Sequence, residues 1–374
     1  MSTNIHTASV QWANRPPDER FWTVEDARCE ADHQRRLSDE RFGRGTSLQV
    51  HAEHDSIFAG EFALNSWSFG QLCSLVGAPS SFFKTRLAAQ PKVVCSTLNA
   101  VIPDRGNYNL YLDTSYTPRL KSITSDSYKR IYNADVLSEI EHYAGSDWAP
   151  PPARPSSPGV ETRRATESDV GLRGSDRGLS IKVGDEIGPS GVYLSDEDMF
   201  VFLVNPDNVT SPMDGEPLYQ GIIVSNSEVG KASLKIETFL FRGVCGNHII
   251  WDVEAVQKTR LRHVGKNPDK FWRYLEQAFT TGGPGNAIPS INKALSYQIG
   301  TKLDDIMNEV SKVSTLSKSI ISKAMAASVP DLDGPSGSLW GIINGLTRVS
   351  QGEINADRRH EIDTEAGRLL SLVA

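Results

Sequence analysis

Apolar and polar residues alternate over short runs in the first and middle parts of the chain, then step by three and four near its end. From Ser47, SLQVHAEH and IFAGEFAL read as strands or a hairpin. SFGQLCSLVG reads as a short helix stopped by Gly77 and Pro79, and SSFFKTRLAA as another. VVCSTLNAVI and YNLYLD read as strands separated by a polar turn over Pro103 to Asn107. From Ala134 to Tyr143 the pattern turns helical, with Val136, Leu137 and Ile140 on one face.

A strand-rich block follows from Leu179: LSIKVG, GVYLSDEDMFVFLV, YQGIIVSN, ASLKIETFLFRGVC and HIIWDVEAVQKTRLRHV, closed by a helix at FWRYLEQAF. Turn residues separate these runs at intervals that suit an antiparallel sheet. In the last third Ile299, Leu303, Ile306, Val310 and Val313 step by 4, 3, 4, 3 and lead on to Ser317, Ile320 and Ala324. Such a heptad-like seam predicts a long helix, lying on the sheet or forming a subunit contact. After DLDGPSGS, helices are predicted at Leu339–Val349 and Asn355–Val373. The fold class this predicts is α+β, a mainly antiparallel sheet with a helical C-terminal region.

Two stretches carry little apolar patterning. Residues 1–45 are polar and rich in Arg, Asp and Glu, with a thin apolar face from Asp26 to Arg41, and read as a surface arm. Residues 146–178 hold five Pro, four Gly and five Ser in 33 positions, and read as a disordered linker or insertion. The expected organisation is therefore an arm at 1–45, a core in two parts at 46–145 and 179–281 with the linker between them, and a helical region at 282–374.

With 374 residues the chain has room for two ordinary domains. The net charge of −7 excludes a uniformly basic protein, yet it conceals a change of sign. Residues 181–230 hold one Lys and nine acids, whereas 231–274 hold nine Lys plus Arg and four acids. The four cysteines (Cys29, Cys73, Cys95, Cys245) form no CxxC pair, which fits a reducing compartment and excludes a disulfide scaffold. No run of about 18 apolar residues marks a membrane span, and the first twenty residues lack an apolar signal core. A cytoplasmic protein without a membrane partner is the expectation.

Three places offer chemistry. Lys258, Arg260 and Arg262 alternate, so on a strand they share a face, and His263, Lys266 and the aromatics Phe271, Trp272 and Tyr274 follow. Cations for phosphates and rings for bases are what a single-strand nucleic-acid groove requires. The alternative is a solvated row paired with the acidic segment, beside rings buried under a helix. Arg119, Lys129 and Arg130 in a second net-positive stretch extend the same candidate surface. In YQGIIVSNSEVG, Ser225, Asn226, Ser227 and Glu228 either order a turn or line a site with Glu228 as acid or ligand. Cys245 and His248 would face one another only if Gly246 and Asn247 turn the chain. No phosphate loop, dinucleotide fingerprint, nucleophile elbow, zinc-protease or kinase pattern is present, and no cofactor or metal is expected.

SITSDSYKRIYNADVL, GIIVSNSEVGKASLKIETFLFRGVCGNHII and RLRHVG together resemble the phage/plasmid-like family built on the domain of unknown function numbered 932. The residues that carry the resemblance are Ser125, Asp126, Tyr128 and Asn133, then Gly221, Ser225, Asn226, Ser227, Glu228 and Gly230, then Cys245, Asn247, Arg262 and His263. The chain departs from the pattern at Gly246-Asn247-His248, where Asn followed by Gly is expected. The resemblance implies a phage or mobile-element setting, in which proteins often handle DNA in replication, recombination or annealing. The expectation is a nucleic-acid-binding protein of the single-strand-binding or annealing kind, forming a homo-oligomer. The competing expectations are a non-catalytic oligomeric interaction protein and an enzyme using Asn226/Glu228 and Cys245/His248.

Overall fold

The structure is a computed structural model, and it describes residues 16–44, 48–103, 106–150, 161–167, 169, 182–189, 191–210, 218–242, 247–249, 259–264, 269–280, 288–335, 337–351, 362 and 365–373. The polar N-terminal stretch is built into the fold from Arg20 onward. Strand β1 (Arg20–Phe21) leads to helix α1 (Val24–Arg36), where the Thr23 hydroxyl caps the helix by accepting from the Asp26 amide. Strand β2 (Ser38–Arg44) follows, so the helix stops five residues before Arg41. The apolar face of α1 is thin because it consists of Val24, Ala27 and Ala31, small side chains that let the helix lie close on the helix at Asn133–Ala144.

The next stretch completes the first sheet. Strands β3 (Val50–Glu53), β4 (Ser56–Ala59) and β5 (Phe62–Leu64) precede helices α2 (Ser66–Leu75), α3 (Ser80–Arg86) and α4 (Pro91–Val101); β6 (Asn107–Asp113) and β7 (Arg119–Ser125) close it. The order is β2-β6-β7-β5-β4-β3, antiparallel except for β5 beside β7. VVCSTLNAVI, expected as a strand, is α4. Pro91 occupies the first turn, where its missing N–H costs nothing, and Val94, Cys95 and Leu98 recur at helical spacing. These residues and Leu72 of α2 pack on Leu112, Leu120 and Ile123. The other face of this sheet is polar. Glu40 pairs with Tyr111 and Tyr111 with Ser122 across the strands, which puts all three side chains on that face.

Helix α5 (Asn133–Ala144) begins the second sheet's unit. Its strands are β8 (Arg163–Arg164), β9 (Glu186–Ile187), β10 (Val192–Leu194), β11 (Met199–Thr210), β12 (Leu218–Asn226), β13 (Leu234–Arg242), β14 (Asn247–Ile249) and β15 (Thr259–Leu261), followed by α6 (Asp269–Thr280). The main sheet runs β1-β10-β11-β12-β13-β14, with β15 also on β13 and every pair antiparallel; β8 and β9 pair separately. Val136, Leu137 and Ile140 of α5, and Phe271, Leu275 and Phe279 of α6, share one core with Val201, Val224 and Ile236. The apolar cores therefore divide the chain differently from its composition. Helices α1 and α5 belong with the second sheet, and the chain crosses between the sheets at Leu37 and over residues 126–132. The stretch expected as a linker is anchored where it is described: Trp148 is buried in the second core, Ala149 bridges Val204, and Arg163 pairs with Asp169 while lying over the Trp22 ring. Residues 151–160, 168 and 170–178 of that stretch lie outside the described residues.

The C-terminal region is helical, as expected: α7 (Ile288–Ser296), α8 (Leu303–Val310), α9 (Lys318–Ala327), α10 (Pro330–Asp333) and α11 (Leu339–Gln351). The heptad-like seam is not one helix. The chain turns between α8 and α9, and Ile306, Val310, Ile320 and Ala324 pack with Trp340, Ile343 and Leu346 of the same chain. The seam is thus used up internally, and the homo-oligomer expectation loses the feature that carried it. Of the predicted helix Asn355–Val373, residues 355–361, 363 and 364 lie outside the described residues, and a 3-10 turn spans Leu369–Leu372. Among the described residues no helix is long and apolar enough to cross a membrane.

Candidate functional site

The polar face of the first sheet meets the second unit across a buried junction, and several motif residues converge there. β7 ends in a turn in which the Tyr128 amide donates to the Ser125 carbonyl; Ser125 and Asp126 stay exposed. The chain then crosses to the second unit, where Tyr128 bridges Val264 and the Lys129 amide donates to the His263 carbonyl at 2.8 Å. From the other side comes the run after β12. Ser225, Asn226, Ser227 and Glu228 are all buried. Gly230, with φ of +82°, lets the chain turn back toward β13.

Glu228 is held on both carboxylate oxygens. The Tyr111 hydroxyl donates to Oε2 at 2.8 Å, and the Asn133 backbone amide donates to Oε1 at 2.6 Å. Asn133 opens α5, so the carboxylate sits at the positive end of a 12-residue helix. Asn226 Nδ2 donates to the Ile131 carbonyl and the Asn133 side chain. Tyr128 donates to the Ser227 carbonyl at 3.1 Å. Trp67 and Gln71 of α2 both donate to the Val229 carbonyl at 2.9 Å. The 226–229 run is therefore a plug from the second unit, gripped by side chains of the first unit and the crossing segment.

Arg130 lies beneath the crossing segment with its side chain 2% exposed. Its Nε donates to Glu40 Oε1 at 2.5 Å, its Nη1 to the Glu228 carbonyl, and its guanidinium lies 3.8 Å from the centre of the Tyr111 ring. Glu40 also accepts from Tyr132 at 3.0 Å and Asn109 at 3.1 Å. Burial works against the Glu40 carboxylate, but Arg130 and the donated hydrogen bonds outweigh it and hold its pKa below the usual range. Burial, and then the Glu228 charge, push the Tyr111 phenol upward; burial pushes Tyr128 up too, and Tyr132, also beside Glu40, rises to about 12. The phenols stay neutral, so they serve as donors and not as bases.

His263 closes the junction. Its ring stacks on Tyr128 at 5.0 Å and 9°, and Nδ1 lies 3.2 Å from the Lys129 carbonyl, which assigns the proton to Nδ1. Burial, with the Arg130 charge, lowers its pKa to about 4, so it is neutral at neutral pH. The unfolded chain, with an ordinary histidine, binds that proton near pH 6.5. Between these values the unfolded state holds more protons, so stability is full above about pH 6.5 and falls as the pH drops toward 4. We expect this group to cost about 2 kcal/mol by pH 5 relative to pH 7. Denaturant titrations at both pH values check it, and His263→Gln should flatten the difference.

No family model, curated protein or solved structure matches the chain. Arg119 is not free for phosphate: it is held by Asp113 and Asp196, each at 2.8 Å, and the neighbouring Lys121 reaches Asp196 at 3.4 Å. Arg130 and His263 are buried in the junction, which removes both from a surface contact role. Lys129, Arg260 and Arg262 are exposed. Arg260 lies opposite Lys235 on the sheet face turned away from the core residues Leu234 and Ile236, and donates to Ser233 at 2.8 Å. Phe271 belongs to the core, while Trp272 and Tyr274 are half-buried. Lys258, Lys266 and Cys245 lie outside the described residues, as do the side chains of Asn247 and His248. Among the described residues no three His, Cys, Asp or Glu side chains gather as a metal site.

Sequence reasoning missed Glu40, Trp67, Gln71, Tyr111 and Tyr132. One signal was available. In YNLYLD the polar set Asn109, Tyr111 and Asp113 carries one large aromatic, and a ring on that side of the strand needs cover and a partner for its hydroxyl.

Proposed function

We propose that this protein binds nucleic acid, single strands in the first instance, through backbone phosphates lying along a ledge formed by Lys129, Arg260 and Arg262. One observation carries the reading. These three cations are exposed and have no carboxylate partner among the described residues, whereas Arg119, Lys121, Arg130 and Lys231 nearby are each paired with an acid. The backbone pairing of Lys129 with His263 brings cations that are far apart in sequence onto one edge. The half-buried Tyr274 beside Lys270 offers a ring for a base. The phage or mobile-element setting implied by the family resemblance belongs to the same proposal.

The enzyme reading is weaker because Asn226 and Glu228 are already bound in the plug. The interaction-protein reading has lost its helical seam to the interior.

The test is binding of a labelled oligodeoxythymidylate, against a duplex, at low and moderate salt. Binding to the single strand should weaken steeply as salt rises. Lys129→Ala/Arg260→Ala/Arg262→Ala should lower affinity at least about tenfold at low salt and reduce the salt slope by about 2. A triple variant that binds like the parent, or a parent that does not bind at low salt, overturns the reading.

A further inference from the structure

We infer that Arg130 is the positioning residue of this ledge, acting from beneath through Glu40. The inference rests on the nucleic-acid reading for its functional consequence. Lys129 sits on the crossing segment 126–132, which has no regular structure beyond the bridge from Tyr128 to Val264. A segment of that kind is held by whatever anchors its side chains. The next residue, Arg130, supplies the anchor. Its guanidinium joins Glu40, on β2 of the first sheet, to the Glu228 carbonyl, in the plug of the second unit. It is also packed against the Tyr111 ring at 3.8 Å and the Tyr128 ring at 5.5 Å. One buried cation thus fixes a segment whose neighbouring residue points a charge into solvent. The side chain that reads in the sequence as a phosphate contact is what sets Lys129 beside His263 and Arg262.

Glu40 gives the sharpest test because it lies away from the ledge and its charge has the wrong sign to help. Its carboxylate accepts from three donors: Arg130, Tyr132 and Asn109. Glu40→Gln leaves Oε1 to accept from Arg130 and Tyr132, and Asn109 can turn its amide to accept from the new N–H₂, but the charge that pairs with Arg130 is gone and the anchoring hydrogen bond weakens to a neutral-acceptor one. On electrostatics alone, removing a negative charge tightens binding of a polyanion. A positioning role predicts the opposite sign.

The experiment measures binding of the labelled oligodeoxythymidylate at two salt concentrations for the parent, Glu40→Gln, Arg130→Lys and Asp126→Asn, with exchange of the Lys129 amide followed in each. Asp126 is exposed at the turn before the crossing segment, so Asp126→Asn reports the charge effect alone. The expected result is tighter binding by Asp126→Asn. Glu40→Gln should bind about fivefold more weakly, with a salt slope smaller by about 1 and faster Lys129 exchange. Arg130→Lys keeps the charge and should fall between parent and Glu40→Gln. Thermal melts identify any variant that fails to fold, and Glu40→Gln stands in for Arg130→Lys if the latter does. Tighter binding by Glu40→Gln, or unchanged Lys129 exchange, overturns the inference. If the parent itself does not bind, the functional reading falls, and Lys129 exchange alone decides whether Arg130 and Glu40 hold the segment.

Discussion

Glu228→Ala should destabilise the protein by about 3–5 kcal/mol, the sum of two hydrogen bonds to a buried charged group and its place at a helix N-terminus. Glu228 is 8% exposed, and its carboxylate accepts from the Tyr111 hydroxyl and the Asn133 amide. Removing it strands both donors where water does not easily replace them, and α5 loses the negative group at its first turn. Glu228→Gln keeps the shape and one acceptor, so it should cost far less, about 1–2 kcal/mol. A cycle with Tyr111→Phe separates the contact from general disruption. Tyr111→Phe should cost about 1–2 kcal/mol in the parent and nearly nothing in Glu228→Ala. Urea unfolding of the four proteins measures it, and additive losses would mean that the two side chains do not act through their shared hydrogen bond.

The weight placed on Glu228 also shows what the sequence made legible. The abrupt end of an apolar run in Ser225-Asn226-Ser227-Glu228 marked a place where polar side chains leave a strand, and that is the plug. Tyr128 and Asn133, from a second stretch, meet it there. Glu40 could not be found this way. Its partners Asn109, Tyr111 and Arg130 lie 69 to 90 residues away, and only strand register brings them together. The place of residues 20–44 in the fold is hidden from the sequence for a related reason. The buried face of α1 is Val24, Ala27 and Ala31, mostly alanine, which carries little apolar signal, and the partner that covers it is α5, about 100 residues on. Helix α4 resembles a strand in sequence because Val93, Val94 and Val101 favour strands locally, while the Pro91 start and the spacing of its buried residues favour a helix.

The reversal of charge sign along the chain is resolved in part by pairing. Lys231 is held by Glu197 at 2.7 Å and Asp198 at 3.2 Å, and these acids raise its pKa against the opposing effect of burial. Arg119 and Lys121 take Asp196. The acidic turn between β10 and β11 thereby neutralises cations at the junction. It does not neutralise Arg260 or Arg262, which lie past β13 on the far side. Of the basic row expected to pair with the acidic segment, Arg260 and Arg262 have no carboxylate partner among the described residues, while Lys231, outside that row, takes Glu197 and Asp198; that difference supports the proposal of the ledge.

Gly345→Ala should cost at least about 3 kcal/mol, at the upper end of what overpacking brings, because the clash is with backbone and not with a movable side chain. Gly345 lies in α11 where it crosses α9, and a Cβ there would stand 2.0 Å from the Ala324 carbonyl oxygen and 2.7 Å from its carbon. The two helices would have to part, and the core they share would open: Ile320 and Ile321 on one side, Ile342, Ile343 and Leu346 on the other. Because the heptad-like seam is spent in this core, the loss falls on the folding of the C-terminal helices and not on self-association. Gly70→Ala is the matched control. Gly70 lies inside α2 with nothing within 4 Å of its would-be Cβ, so alanine should stabilise by up to about 1 kcal/mol through helix propensity. Thermal unfolding of both variants measures the contrast. A Gly345→Ala protein as stable as the parent would mean that α9 and α11 do not approach this closely.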